Sequence, residues 1–189
     1  MCAPYIDGLR TREPRALAEF FDSYAPIVNR LVWQFLGPDE DHDDVVQQVL
    51  MNALRWLHKI RDPGAIPAWV TTVTLNTIRT ELRRRRARRW LRFVDPNDSP
   101  EQEHHDDHGA RAALRRAYTL LAKLPADEHL AFVLRHLEDQ PLDTCAAACG
   151  WSLATFKRKL KAADERVARL AANEPLLAEY LLNAQGREP

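Results

Sequence analysis

The stretch LDTCAAACGWSLATFKRKLKAADERVARL, from Leu142 to Leu170, decides the fold. It reads as two helices separated by a sharp turn. A short helix of small and apolar residues, Leu142 to Cys149, meets Gly150, a residue that tolerates the positive φ of a helix C-terminus. Ser152 then opens a second helix as its N-cap, because a serine hydroxyl accepts an orphan backbone N–H of the first turn. Phe156, Leu160, Ala163, Val167 and Leu170 recur at helical spacing and are expected to face inward. The other side carries Thr155, Lys157, Arg158 and Lys161, donors suited to phosphates and base edges. This is the pattern of a helix-turn-helix, in which the second helix is held in a DNA major groove.

Elsewhere too the sequence favours helices. Glycine is scarce, at 6 of 189 residues, and strand-like alternation is rare, while an apolar content of 46% is enough to bury a core. Lys+Arg and Asp+Glu are equal at 27 each, so net charge is zero and the free chain is expected to bind DNA poorly without sequence preference. The start, MCAPYIDGLR, lacks the apolar core of a signal peptide, and no apolar run reaches membrane-span length. Cys2, Cys145 and Cys149 are odd in number, which argues against a disulfide scaffold and for a cytoplasmic setting.

Charge is laid out in blocks: acidic PDEDHDD (Pro38 to Asp44), basic RTELRRRRARRWLR (Arg79 to Arg92), and acidic VDPNDSPEQEHHDDHG (Val94 to Gly109). The last reads as a linker. The expected fold is all-α: two small helical domains joined by a flexible acidic linker, the C-terminal one a helix-turn-helix. The boundaries are residues 15–92, a linker at 93–109, a second domain at 110–172 and a tail at 173–189. In the first domain, Leu17, Phe20, Phe21, Tyr24, Ile27, Val28, Leu31, Val32 and Phe35 keep helical spacing, with Pro26 expected to kink or split the segment. A helix from about His42 to Lys59 follows, with Val46, Val49, Leu50, Ala53 and Leu57 inward. A long one starts near Pro67 and runs through the arginines, with Trp69, Val73, Ile78 and Leu82 inward. In the second domain, helices are expected over Ala112 to Leu124 and Ala126 to Leu137, the latter with Leu130, Val133, Leu134 and Leu137 inward.

The long arginine helix also carries Trp69, Thr72 and Asn76, and such a mixture suits phosphates and unstacked single-stranded bases. A solvated basic face is the plainer reading. The helix before it has an outward row of Asp44, Gln47, Gln48, Asn52, Arg55 and Trp56. An exposed tryptophan there points to a protein contact, against the default of a solvated face. His104, His105 and His108 with Asp106 and Asp107 could bind a metal, but a polar linker is favoured, as is a core role for Cys145 and Cys149. P-loop, GxGxxG, GxSxG and HExxH signatures are missing from the sequence, so neither catalysis nor a cofactor is expected.

Taken in order, several stretches resemble a bacterial RNA polymerase sigma factor of the two-domain extracytoplasmic-function (ECF, group 4) type. DDVVQQVLMNALRWLHKIRDP (Asp43 to Pro63) resembles its polymerase-clamp-binding helix and the loop after it. AWVTTVTLNTIRTELRRRRAR (Ala68 to Arg88) resembles its promoter-melting helix. LLAKLPADEHLAFVLRHLEDQPL (Leu120 to Leu142) resembles the start of its second domain, which the helix-turn-helix completes.

The resemblance implies core RNA polymerase and promoter DNA, duplex and single-stranded, as partners, with an anti-sigma factor as a further one, and no membrane. Asp44, Gln47, Gln48, Arg55 and Trp56 would dock on the polymerase clamp. Arg61, Asn76, Arg79 and Arg83 would capture the minus-ten element, helped by the loop Lys59 to Ala68. Ser152, Thr155, Lys157, Arg158 and Lys161 would read the minus-thirty-five element, and the acidic linker would thread the polymerase interior. Gln48 departs from the acidic residue common in the family. Cys145 and Ala148 replace larger aliphatics, and Ala162 and Asp164 stand where arginines are common. Two other readings remain: a stand-alone helix-turn-helix regulator of duplex DNA, and a metal-sensing regulator using His104, His105 and His108, with or without the cysteines.

Overall fold

The computed structural model describes residues 3–57, 60, 62–94, 110–172 and 174. Among the described residues, eight α-helices run in order: α1 (Ala3–Arg10), α2 (Pro14–Leu36), α3 (His42–Trp56), α4 (Ile66–Val94), α5 (Ala110–Leu121), α6 (Ala126–Phe132), α7 (Leu142–Ala148) and α8 (Leu153–Ala171). A 3-10 turn, Pro63–Ala65, leads into α4, and a π-type turn, Val133–Leu137, follows α6. Residues 95–109 of the expected linker (93–109), with its histidines, Arg61, and the tail but for Glu174 lie outside the described residues, while residues 93 and 94 belong to α4.

The first unit is α2, α3 and α4 packed around Phe20, Val28, Val32 and Phe35 from α2, Val49 and Ala53 from α3, and Ile66, Leu75 and Ile78 from α4, all nearly solvent-free. Each large side chain so buried holds several kcal/mol: truncating a core phenylalanine costs about 3–5 kcal/mol. Pro14 begins α2 where its missing N–H costs nothing. Asp43 and Asp44 place negative charge at the positive end of α3. Along α4, the hydroxyls of Thr71, Thr72, Thr74, Thr77 and Thr80 each donate to the carbonyl one turn earlier, so even the fully buried Thr74 is satisfied.

The second unit is α6, α7 and α8 closed over Phe156, Cys145 and Ala146, with Leu120, Leu124 and Ala163 forming a smaller cluster beside it. Gly150 turns at φ +68°, and the Ser152 hydroxyl accepts the Thr155 N–H at 3.2 Å, as a helix-turn-helix requires. Burial pushes the Cys149 thiol up to about 12, so it is an unreactive core residue.

The two units pack on one another, and one continuous buried cluster runs from Leu9 through Phe35 to Leu134 and Phe156. Gly37 shows how close they come. It ends α2 at φ +71°, its N–H donating to the Trp33 carbonyl at 2.8 Å, and a Cβ there would lie 2.5 Å from the Tyr118 ring. Only glycine satisfies both the backbone and the approach.

The structure departs from the sequence expectations in several places. First, α2 is continuous through Pro26, which sits on its exposed side while Tyr24 and Val28 carry the buried one; Ile27 also faces solvent. Second, α3 ends at Trp56, and it buries Val45, leaving Val46 half-buried. Third, α4 buries Val70 and Leu75, whereas Trp69, Val73 and Leu82 are half-buried. Fourth, the helix expected to reach Leu137 gives way to the π-type turn, whose bond from the Glu138 N–H to the Val133 carbonyl (3.0 Å) shifts the helical phase and leaves Leu137 exposed. In the second unit, α5 spans Ala110–Leu121, two residues earlier at its start and three at its end than expected.

Candidate polymerase and nucleic-acid interface

The outward row of α3 stands as its spacing indicates. Asp44, Gln47, Gln48, Arg55 and Trp56 are all exposed, because Val45, Val49, Leu50 and Ala53 occupy the opposite side. Met51, on the same outward row, is exposed as well and was not anticipated. Gln48 donates to Asn52 (3.0 Å), and Asn52 donates to Thr77 (3.2 Å), which ties α3 to α4. Between the two helices runs a groove of about 800 Å³, lined among others by Asp44, Gln48, Trp56, Asn76, Thr80 and Arg84. Three of the residues expected to meet the polymerase, Asp44, Gln48 and Trp56, thus share one cleft with Asn76, expected to meet the minus-ten element, while Gln47 and Arg55 lie outside it.

The arginine block divides in two. Arg84, Arg85 and Arg88 surround Glu81, with Arg84 Nε at 2.7 Å and Arg85 Nε at 2.7 Å. Burial alone would raise the Glu81 carboxyl, but the hydrogen bonds from Arg84 and Arg85 outweigh it and hold the carboxyl below its ordinary value. Arg85 also reaches Asp39, Nη2 to Oδ1 at 2.9 Å, and Asp41 lies within ion-pair range of Arg85 and Arg88. The first acidic block therefore neutralises part of the basic one, a pairing across 46 positions that helical spacing cannot reveal.

The other arginines turn toward the second unit. Arg79 Nε donates to Asp127 Oδ1 at 2.7 Å, and Arg83 Nη2 to the same oxygen at 3.2 Å. Lys159, on α8, approaches Asp127 Oδ2 at 3.4 Å. The Arg79 guanidinium also lies 5.1 Å from the centre of the Trp151 ring. Asn76 and Arg79 are neighbours on α4, but Asn76 lines the α3 groove while Arg79 is engaged by α6. Asp127, Trp151 and Lys159 carried no local signal of this contact.

On α8, Lys157, Arg158 and Lys161 are exposed, and Lys161 is 4.0 Å from Glu165. Ser152 is held as the cap, with its hydroxyl also donating to the Thr155 hydroxyl at 3.0 Å. Phe156 and Ala163 anchor the other side, so the basic face must point outward. Among the described residues, no group of three or more His, Cys, Asp or Glu is placed to hold a metal, and no helix is long and apolar enough to cross a membrane.

The structure is thus an all-helical chain with an exposed polar row on α3 and an exposed basic face on α8. Residues 20–88 match sigma-70 region 2, and residues 114–165 match sigma-70 region 4. The chain is 30% identical over 133 residues to the ECF RNA polymerase sigma factor SigL of Mycobacterium tuberculosis, covering 69% of this chain and 73% of that one. It is 27% identical over 134 residues to the ECF sigma factor EcfG of Rhodopseudomonas palustris, covering 71% and 73%. Two solved structures share the fold at 20% identity: CnrH in complex with the cytosolic domain of CnrY (TM-score 0.58, 90% of this chain and 96% of that one), and RpoE with the anti-sigma factor NepR from Bartonella quintana (0.56, 83% and 97%). The chain belongs to the ECF RNA polymerase sigma factors.

Proposed function

We propose that this sigma factor docks on core RNA polymerase through Asp44, Gln47, Gln48, Arg55 and Trp56, and opens promoters with Arg61, Asn76, Arg79 and Arg83. The helix α8 reads the upstream duplex through Ser152, Thr155, Lys157, Arg158 and Lys161. The working units are residues 15–92 and 110–172, joined by 93–109. The chain performs no catalysis of its own, works in the cytoplasm and is a target for an anti-sigma factor. The observation that carries the reading is the simultaneous exposure of the α3 row and the basic face of α8, one in each sigma region.

The test is co-purification with core polymerase followed by transcription from a promoter library. The expected result is a stable holoenzyme that initiates at a defined subset. Sequence-specific duplex binding by the free chain, with no affinity for polymerase, would instead identify a stand-alone regulator.

A further inference from the structure

Asp127 collects cations from both DNA-reading elements. Arg79 and Arg83 come from α4 and Lys159 from α8, and the Asp127 side chain is only 18% exposed among them. Trp151, one residue before the α8 cap, covers the Arg79 guanidinium as a stacked base would. A carboxylate ringed by two guanidiniums and an ammonium, with an aromatic ring over one of them, has the chemistry of a phosphate beside an unpaired base. Other ties close the same interface. Arg30 Nη1 meets Glu138 Oε2 at 2.8 Å, Arg89 donates to the Ala122 carbonyl at 3.0 Å, and the Tyr118 hydroxyl donates to the Gln34 carbonyl at 3.2 Å.

We infer that Asp127 and Trp151 form an internal docking surface that imitates single-stranded nucleic acid and occupies the strand-capturing arginines of α4 in the free protein. This rests on the assignment of Arg79 and Arg83 to promoter DNA. In the closed form Arg79, 24% exposed, is withheld from phosphates, Arg83 keeps 61% of its side chain exposed with one nitrogen held by Asp127, and the Lys159 ammonium is turned from the reading face to the same carboxylate. Polymerase or DNA must separate the two units to free all three cations together.

The experiment uses the full chain carrying Asp127→Asn, and separately Arg30→Ala, which loosens the same interface without touching a DNA-reading residue. Circular dichroism verifies that each remains helical. Small-angle scattering reports the radius of gyration, and fluorescence anisotropy reports affinity for a labelled oligothymidine strand. Both variants are expected to expand and to bind the strand about tenfold or more tightly than the wild type. The dependence of log affinity on log salt should steepen by about one to one and a half units for Asp127→Asn, since each of the two α4 arginines contributes roughly 0.7 on single strands. Holoenzyme containing Asp127→Asn should initiate as the wild type does. An unchanged radius and unchanged strand affinity in both variants would overturn the inference. So would expansion without any gain in binding, because the freed arginines would then not be strand-capturing groups. Failure of the wild-type chain to bind polymerase would count against the functional reading alone, since the radius and strand affinity are read without polymerase.

Discussion

The imidazole of His129 lies against the ring of Phe35, centroids 6.4 Å apart and nearly parallel, and so buries a titratable group between the two units. Neither ring nitrogen makes a well-formed hydrogen bond, and burial pushes the group from 6.5 down to about 4, although the facing carbonyls of Phe35 and Leu121 favour the protonated form. Arg85, Arg89 and Arg115 line the adjoining cavity of about 340 Å³, which makes a further positive charge there still less welcome. A histidine whose folded value is depressed stabilises the fold fully above its unfolded value, and that contribution disappears as pH falls from about 6.5 towards 4. At pH 5 the loss is about 2 kcal/mol. Urea midpoints measured between pH 7 and 5 should therefore fall in the wild type and flatten in His129→Leu. Parallel pH profiles would show that the ring does not titrate out of a buried state.

Arg85 bonds Glu81 within α4 and Asp39 before α3, with its own side chain only 18% exposed. Replacing it by alanine takes the bidentate partner from Asp39 and leaves the buried Glu81 with Arg84 and Arg88 alone. The expected cost is about 2 kcal/mol, less than for a fully buried pair because both acids retain some solvent. Arg86→Ala, an exposed change on the same helix, should stay within roughly 0.5 kcal/mol. Equal thermal midpoints for the two variants would show that the Glu81 cluster is merely a solvated ornament of the helix.

What the sequence disclosed and what it hid follow from range. Gly150, Ser152 and the Phe156–Ala163 spacing act within one or two turns, so the helix-turn-helix and its outward basic face were legible. The α3 row was legible for the same reason. The destination of the arginines was not, because periodicity shows which side of α4 is apolar but not which carboxylate lies opposite. Asp39 and Asp127 are 46 and 48 positions away from their partners. Leu137 misled because one π-type bond after α6 changes the helical phase, and Pro26 because its side of α2 happened to need no packing.

Trp56 is 43% exposed at the end of the α3 row. Its truncation to alanine should lower polymerase affinity by about 2 kcal/mol, the loss characteristic of an aromatic anchor, while Gln47→Ala should cost less. Thermal stability should change little, since the ring contributes little to the buried core. Holoenzyme titrations with a labelled chain give both numbers, and unaltered affinity in both variants would reassign this row to solvent.

Lys157, Arg158 and Lys161 share the exposed face of α8. Losing a phosphate contact should weaken binding to every promoter alike and reduce the salt slope by about one unit. Losing a base-edge contact should cost about 1–3 kcal/mol and relax preference at a single position. Single alanine variants assayed as holoenzyme on a promoter library separate the two cases. Normal initiation at all promoters by the triple variant would remove α8 from the reading role.

Asn76 is exposed beside the α3 groove, and its amide offers both a donor and an acceptor to an unpaired base edge. Unlike Arg79, it takes no part in the contact with Asp127, so its replacement probes strand capture without loosening the two units. Asn76→Ala holoenzyme should form closed complexes normally and show weaker permanganate reactivity at promoter thymines, because capture of an unstacked base helps offset the cost of opening the duplex. The fold should survive, since Leu75 and Ile78 carry the buried side of this turn. A template with the bubble already open should restore part of the lost initiation, as the unpairing cost is then removed. If the variant failed equally on duplex and pre-opened templates, with polymerase binding intact, a role confined to opening would be excluded. Reduced affinity for the single non-template strand would then mark Asn76 as a base-holding residue after melting.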